Sequence, residues 1–436
     1  MIRKLFGSPS YMVAWLATVA IALLGFTTPE YLKYWYMLSA MWLMNVFLYR
    51  HIVQLYSSKC FKVMYVLMYV LPLAVECAAL MVPYHSWNPF FRSVSTSLVL
   101  TYVLFMQMVV AILGLGCLHH WYRQDRGRTF SAVARCRYRA VAYSVFALCF
   151  ACYMVGAIYG KNHVVLRRAT IEVCQLPQAF EGYKIVQLSD FHLGSMYNRH
   201  TMERIVDSVN ALNPDMIAVT GDVVTLCSGE MTPYLSTLAR LKAKDGVYMV
   251  LGNHDYAKYP YFPSPELKTA DSIALISMIE DSLHWNLLCD QSCFIVRGND
   301  TIVVAGSQYI GLPSLKKIKL FGDNPYSYGD LNKTLAGIDA YPVVLLTHNP
   351  VVWTREVIQH YPFVDLTLSG HTHAGQMGLY TKKYSNQNVG YNDKTKAGLF
   401  HCGHQHLYIN AGIGTSAMHS RFLIFPEITV IFLDNE

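Results

Sequence analysis

The chain is poor in charged residues for its size. Only 14% of its 436 residues are Asp, Glu, Lys or Arg, whereas 53% are hydrophobic, which is too apolar for an ordinary soluble protein. Acidic residues are scarcest at the beginning: residues 1–161 hold 14 Lys or Arg but only 3 Asp or Glu, against 21 and 25 in residues 162–436. The excess of positive charge is typical of the flanks of membrane spans and not of a nucleic-acid surface, so we expect no nucleic-acid partner.

The eleven cysteines give no sign of a disulfide framework. They are scattered along the chain, and an odd number of five falls within residues 162–436. That distribution also indicates no zinc ribbon. We expect these cysteines to act as small buried hydrophobic residues.

Five apolar stretches in residues 1–161 predict a helical membrane domain of five spans. They cover about residues 11–26, 34–49, 63–83, 94–117 and 140–159, and a helix needs roughly 20 residues to cross a bilayer. If the first two stretches form one span, the count becomes four. Glu76 lies within the third stretch, where a charge is costly, so we expect a buried partner or a functional role, with a protonated or helix-paired Glu as the alternative.

Positive charge also predicts which way the protein faces. Six arginines lie between residues 123 and 139, directly before the last stretch, and such loops remain in the cytoplasm. Residues 162–436 then lie on the non-cytoplasmic side of a plasma or inner membrane. The predicted domains are therefore a membrane domain, residues 1–161, and a second domain, residues 162–436.

The second domain alternates strand-like and helix-like segments, which indicates an α/β layered fold. Predicted strands include 184–189, 216–220, 247–251, 343–346 and 365–368, and predicted helices include 199–212, 232–243 and 269–281. Residues 382–406 are polar and lack periodicity, so they are expected to form a long loop that borders a site.

Polar side chains of the metal-binding types follow several of these strands. Strand ends can direct such side chains to one point, and two carboxylates, four imidazoles and one amide at one point form a two-metal site. This mixture of nitrogen and oxygen donors suits Mn, Fe or Zn better than Mg. Two such ions can hold a bridging hydroxide that attacks phosphorus. The predicted ligands are Asp190, His192, Asp222, Asn253, His348, His371 and His373.

At these motifs the chain resembles the calcineurin-like metallophosphoesterases. The resemblance covers residues 180–434 and includes Asp190-Phe191-His192, Gly221-Asp222, Gly252-Asn253-His254-Asp255, His348 and Gly370-His371-Thr372-His373, in the family's order. It implies two packed mixed sheets flanked by helices, and two divalent ions. Carried over by position, Asp190, His192, Asp222 and His373 hold one ion. The other ion is held by Asp222, Asn253, His348 and His371.

The resemblance also implies catalytic roles. His254 is expected to stabilise the leaving group or donate a proton to it, with Asp255 orienting His254.

Arg421 is a candidate phosphate ligand, with an ordinary surface arginine as the alternative. A second cluster of metal-binding types, at His401, Cys402, His404 and His406, is either a further metal site or a solvated loop edge.

The closer resemblance is to a membrane-anchored branch, the transmembrane proteins with a metallophosphoesterase domain. Val223-Val224-Thr225 follows Gly221-Asp222 where protein phosphatases of the family have an arginine, which argues against phosphoprotein substrates. We therefore predict a membrane-anchored phosphohydrolase for phosphodiesters or phosphomonoesters, with lipid substrates favoured by its location. Two alternatives are a UDP-2,3-diacylglucosamine pyrophosphatase of lipid A synthesis and a non-catalytic receptor for a phosphorylated ligand.

Overall fold

The protein is described here from a computed structural model. The structure describes residues 131–435, apart from 197, 260–261, 313–326, 379–385, 388–396 and 417, together with scattered positions between 58 and 129. Four of the predicted spans, and Glu76 with them, lie wholly or largely outside the described residues. The chain forms two compact units, and residues 155–258 and 262–436 belong to the second.

One described helix, α1 (Ala132–Ile158), is long and apolar enough to cross a membrane. With the turn that follows, it covers residues 132–162 and has a mean hydropathy of 2.0 over its most apolar window. It corresponds to the fifth predicted span. The other α-helices whose bounds are described are α2 (Arg199–Ala211), the single turn α3 (Leu235–Leu238), α4 (Pro265–Ser277), and the short α5 (Leu331–Thr334) and α6 (Ile358–His360).

Thirteen described strands form two mixed sheets. The first sheet has the order β1-β13-β2-β3-β4-β5, and the second has the order β10-β11-β12-β9-β8-β7-β6. The strands are β1 (Val165–Val173), β2 (Tyr183–Leu188), β3 (Met216–Val219), β4 (Val247–Met249), β5 (Asn286–Leu287), β6 (Gln291–Arg297), β7 (Asp300–Gly306), β8 (Val343–Leu346), β9 (Val364–Ser369), β10 (Asn386–Gln387), β11 (Gly398–Cys402), β12 (Gln405–Ile409) and β13 (Glu427–Asn435).

The two sheets pack face to face between layers of helix. The apolar side chains between them include Ile185 and Ile431 of the first sheet and Val304 and Leu366 of the second. The outer face of the first sheet packs against α2 and α4, and that of the second packs around the buried Trp353. Both faces of the central strands are therefore buried, which explains their continuous apolar runs.

The structure differs from the sequence prediction in two segments. The predicted loop 382–406 contains strand β11 and the beginning of β12, which pair as an antiparallel hairpin. The predicted helix 232–243 is helical only in short turns: a 3-10 turn at Thr232–Tyr234, which contains Pro233, is followed by the single α-helical turn α3.

Candidate metal centre

The predicted ligands lie at one edge of the sandwich, where strands of both sheets end. In the first sheet β2, β3 and β4 run parallel, and in the second β8 and β9 run parallel. Asp190 follows β2, Asp222 follows β3, Asn253 follows β4, His348 follows β8 and His371 follows β9. The carboxyl ends of parallel strands lie at the same edge of a sheet, so short loops bring these side chains together.

One group of side chains contains Asp190, His192 and His373. One ligand atom from each lies within 4.8 Å of the others. His192 Nε2 is 3.0 Å from His373 Nε2, and His373 Nε2 is 3.4 Å from Asp190 Oδ1. All three residues are buried, so these nitrogen and oxygen atoms face one another and not the solvent.

A second group contains Asp222, His348 and His371, again with ligand atoms within 4.8 Å of one another. His348 Nε2 is 3.2 Å from Asp222 Oδ2 and 3.2 Å from His371 Nδ1. The other ring nitrogen of His348, Nδ1, donates to the backbone oxygen of Thr220 at 2.6 Å. This bond orients the ring so that Nε2 points at the carboxylate, which is how backbone carbonyls commonly orient metal-binding histidines.

Asp222 joins the two groups. Its Oδ2 is 3.2 Å from His348 Nε2 and 3.5 Å from His192 Nε2, which belongs to the first group. Its other oxygen, Oδ1, accepts the backbone N–H of His254 at 2.8 Å. Asn253, the residue between Gly252 and His254, is itself buried, and the binding of a cation by its side chain stays a prediction. The carboxylate of Asp222 thus occupies the position that a ligand shared by two cations requires.

The backbone is strained at most of these positions. Asp190, His192, Asp222, His371 and His373 have φ values of 49°, 41°, 55°, 71° and 50°. Residues other than glycine rarely adopt this left-handed region, which costs of order 1 kcal/mol or more each. Surrounding contacts therefore hold these side chains in place at the expense of local strain, as is common in functional sites.

Glycines allow the ligand loops to approach one another closely. A Cβ at Gly221, where φ is 91°, would lie 2.8 Å from His348 Nδ1. A Cβ at Gly252 would lie 2.6 Å from the backbone nitrogen of Asp222, and one at Gly370 would overlap with the Asp190 carboxylate. A side chain at any of these three positions would therefore push the ligand loops apart.

Burial and neighbouring charges set the protonation states of the predicted ligands. Burial lowers the pKa of His371 to about 3 and holds those of His192 and His373 well below the usual value. Burial would raise the pKa of Asp222, but the neighbouring His348 and His254 hold it well below its usual range. Against the effect of burial, the neighbouring Asp222 raises the pKa of His348 to about 9, so His348 must release a proton when a cation binds. Neutral His192, His371 and His373 and an ionised Asp222 are already the forms that bind cations.

His254 and Asp255 lie beside this cluster with different partners. A ring nitrogen of His254 lies within 4.8 Å of ligand atoms of His192 and Asp222, and its Nδ1 donates to the backbone oxygen of Thr225 at 2.7 Å. The carboxylate of Asp255 accepts the backbone N–H groups of Asp222, Val224 and Gly252 at 2.8–3.1 Å. Asp255 therefore binds the backbone of both the loop that carries Asp222 and the loop that carries Asn253. The Thr225 carbonyl orients the His254 ring.

Arg421 is fully buried. Its Nε donates to the Gly414 oxygen at 2.8 Å, and its Nη2 donates to the Ala411 oxygen at 2.9 Å and lies 3.3 Å from His373 Nδ1. Its burial contradicts the alternative of an ordinary surface arginine, and the binding of a phosphate by Arg421 stays a prediction.

Sequence reasoning missed Glu230, a buried carboxylate that accepts the backbone N–H groups of Gly194, Thr225 and Leu226. It ties the loop after His192 to the loop after Asp222. No sequence pattern marks this acid, because its partners are backbone groups brought together only by the fold.

The His401–His406 cluster is separate from the strand-end site: its two terminal rings lie 6.0 Å apart across β11 and β12. Within the described part of the chain, groups of three ligands with metal-binding spacing occur only at the strand-end site.

The donor set fits divalent transition metals. Pairs of imidazole nitrogens lie 3.0–3.2 Å apart and face carboxylate oxygens in a buried cluster. Facing lone pairs repel one another unless protons or cations lie between them, and burial disfavours protonation of both His192 and His373. A set of imidazoles and carboxylates is the one that Mn, Fe or Zn prefers.

Comparison with known proteins agrees with this geometry. Residues 183–375 match the model of the family described as calcineurin-like phosphoesterase. This part of the chain is therefore a calcineurin-like metallophosphoesterase domain, and the domain is a metal-dependent phosphoesterase, as the motifs predict.

Three relatives are similar to a longer part of the chain. The chain is 29% identical over 290 residues to the uncharacterized metallophosphoesterase YkuE of Bacillus subtilis, covering 64% of this chain and 88% of the relative. It is 30% identical over 268 residues to the transmembrane protein with metallophosphoesterase domain of Danio rerio, covering 60% and 56%. It is 28% identical over 289 residues to the UDP-2,3-diacylglucosamine pyrophosphatase LpxG of Chlamydia muridarum, covering 59% and 86%. The chain thus spans little more than half the length of the fish protein.

Proposed function

We propose that this protein is a membrane-anchored phosphohydrolase with two divalent metal ions, which acts on phosphoesters in or near the bilayer. Asp190, His192, Asp222 and His373 would hold one ion, and Asp222, Asn253, His348 and His371 would hold the other. Mn, Fe and Zn are the ions that this donor set favours.

The observation that carries the proposal is the position of Asp222. One of its oxygens lies within 3.5 Å of imidazoles from both ligand groups, so a single carboxylate can contact two cations. A receptor that only binds a phosphate needs neither a shared ligand nor a second cation. Sites with two cations are common where a phosphorus–oxygen bond is hydrolysed.

Each side chain around the cluster has a role that follows from its contacts. Bound divalent ions would supply an activated water molecule and positive charge for the phosphoryl oxygens. His254 directs its Nδ1–H to the Thr225 oxygen, and this bond fixes the ring beside the cluster, where it would act on the departing oxygen. Asp255 and Glu230 bind backbone N–H groups of the ligand loops, so they keep those loops at a fixed separation.

The membrane restricts the substrates that this site can meet. Helix α1 has the length and apolarity of a span, and relatives carry the name of transmembrane proteins. We therefore propose an integral membrane protein with several spans in residues 1–161, a catalytic domain in residues 162–436, and a lipid-linked or membrane-proximal phosphoester as substrate.

A pyrophosphate-linked lipid is the second candidate substrate, because one relative is named a UDP-2,3-diacylglucosamine pyrophosphatase. Such a UDP-linked substrate lies on the cytoplasmic side of the membrane. The six arginines between residues 123 and 139 favour the opposite side for the catalytic domain. The side on which the domain lies thus separates the two candidates.

Sidedness is measured by labelling one cysteine in sealed cells with a maleimide that does not cross membranes. Cys402 is exposed in the catalytic domain, and Cys227 is buried. A variant that keeps only Cys402 should react from outside the cytoplasmic membrane, whereas one that keeps only Cys227 should not react until the protein is unfolded. Labelling of Cys402 only after the membrane is opened would favour the cytoplasmic substrate.

Activity is tested with the full chain in detergent, a generic phosphodiester and a phosphomonoester, with Mn²⁺ as the added metal. The proposal predicts metal-dependent release of the alcohol that Asp222→Asn abolishes. His404→Gln is the matched control, since His404 lies on the exposed β11–β12 turn and its Nε2 donates to the Pro362 oxygen. Tight binding of Mn²⁺ and phosphate without turnover of any substrate would favour the receptor.

A further inference from the structure

The end of the membrane helix belongs to the same compact unit as the metallophosphoesterase domain. Residues 155–158 close helix α1, and a 3-10 turn, Gly160–Asn162, leads into β1. The last carbonyl groups of any helix lack partners within it. Here the Gly156 oxygen accepts the backbone N–H of Arg421 at 3.2 Å. A residue from the far end of the domain therefore caps the helix.

Two glycines make this contact possible. Gly156 and Gly160 are four residues apart, so they face the same side at the end of the helix. A Cβ at Gly156 would lie 3.0 Å from the carbonyl group of Arg421 and would overlap with the Ser420 side chain. A Cβ at Gly160 would overlap with the Arg421 oxygen. Small residues at this spacing let backbones pack closely, and here they hold the backbone of Arg421.

The side chain of Arg421 extends from that contact to the metal centre. Its guanidinium donates to the Ala411 and Gly414 oxygens and lies 3.3 Å from His373 Nδ1. The opposite ring nitrogen, His373 Nε2, faces Asp190 and His192. A shift of the Arg421 backbone can therefore reach His373 through one side chain, whose planar guanidinium is held by two carbonyl oxygens.

The loop that Arg421 holds also touches the first ligand group. A Cβ at Gly412 would lie 2.8 Å from Asp190 Cβ, and one at Gly414 would lie 2.9 Å from His192 Cβ. From the helix side, Lys161 Nζ donates to the Ser195 oxygen at 3.2 Å, three residues after His192. Asp190, His192 and His373 are thus each linked to the end of the helix by a short series of contacts.

We propose that the end of helix α1 is part of the frame of the metal centre, and that Arg421 is the positioning residue that transmits its position to His373. The inference rests on the proposed two-metal function. On this proposal the helix does more than anchor the domain. The affinity for the ion held by Asp190, His192 and His373 depends on the position of the helix end, and the affinity for the ion held by His348 and His371 does not.

The experiment is a Mn²⁺ titration of the full chain in detergent, followed by electron paramagnetic resonance, which reports both the affinity of each ion and the spin coupling between ions. We expect Gly160→Ala and Arg421→Gln each to weaken the binding of the ion at Asp190, His192 and His373 roughly 10- to 100-fold, as loss of an outer contact to a metal-binding histidine does. Both variants should also reduce the signal of coupled ions. The second ion should bind as in wild type. Arg421→Lys, which keeps the charge, should lie in between.

Gly114→Ala is the matched control, because an added Cβ at that helical glycine meets no described atom within 4 Å. It should titrate as wild type does. The double variant, Gly160→Ala with Arg421→Gln, should be no weaker than Arg421→Gln alone, because both changes act on one path. Thermal unfolding checks that each variant is folded, and Arg421→Lys decides the outcome if Gly160→Ala does not fold.

Wild-type affinity and coupling in Gly160→Ala and Arg421→Lys would overturn the inference and leave the two-metal function standing. Equal weakening of the binding of both ions, or additive losses of affinity in the double variant, would also overturn the inference, since a general loss of structure has these effects. Failure of the wild-type protein to bind Mn²⁺ would instead contradict the proposed function itself.

Discussion

Gly252→Ala is the substitution with the most localised expected effect on the metal centre. A Cβ at this position would lie 2.6 Å from the backbone nitrogen of Asp222 and 2.7 Å from its Cγ, where ordinary contact begins at 3.4 Å. Both neighbours belong to the residue that joins the two ligand groups, and the Asp255 carboxylate already holds the Asp222 and Gly252 nitrogens at 2.8 and 2.9 Å. The loops must therefore separate at Asp222.

The size of that movement sets the size of the effect. The nearest atom is Asp222 Oδ1, and restoring ordinary contact with it requires a shift of about 1 Å; a displacement of about 1 Å at a reacting centre costs on the order of 100-fold in rate. We therefore expect Gly252→Ala to lower kcat for a generic phosphodiester by at least about tenfold in saturating Mn²⁺. Gly114→Ala serves as the control for the loss of a glycine.

The assay is steady-state hydrolysis with parallel measurement of bound metal and of the unfolding midpoint. Wild-type kcat in a folded Gly252→Ala protein would refute the reasoning, since it would mean that the Asp222 carboxylate need not keep its position. A folded variant that retains two ions but turns over slowly would support it most strongly.

Three further predictions concern residues around the ligands. His254→Gln should keep both ions and lower kcat roughly 100-fold or more, and an unchanged kcat would remove His254 from proton transfer. Asp255→Asn places an amide group against one of three N–H donors, so its unfolding midpoint and metal affinity should both fall; unchanged values would show that the three bonds are dispensable. Burial raises the pKa of Glu230 from 4.5 to about 8, so the folded protein keeps a proton that the unfolded chain releases. Stability should therefore fall between about pH 5 and pH 8, and thermal unfolding of Glu230→Gln should lose that part of the pH dependence.

Strands of the central sheets could be predicted because they are short apolar runs that end in polar motifs. The predicted strand 343–346 coincides with β8, and 216–220 differs from β3 by one residue. Strand β1 was not predicted. It is the edge strand of its sheet, it carries Arg167 and Arg168, and its pairing with β13 joins residues more than 250 positions apart. No local pattern reveals such a pairing.

The candidate site, like the fold, could be predicted only in part from the sequence. Residue types and their order are local, so the two carboxylates and four imidazoles could be named from the motifs. The left-handed backbone at Asp190 and His192 could not be predicted, because only surrounding contacts sustain it. The partners of Glu230 and Arg421 are mainly backbone groups from distant segments, and a sequence motif records side chains and not the carbonyls that surround them.

The central claim is that seven side chains hold two cations through the shared carboxylate of Asp222, and the most direct measurement is the metal content of the full chain at saturation. Elemental analysis after equilibrium dialysis against Mn²⁺ should find two ions per chain in the wild-type protein and fewer in Asp222→Asn, with His404→Gln equal to wild type. A folded wild-type protein that retains no metal, or an Asp222→Asn variant that still holds two ions, would contradict the account.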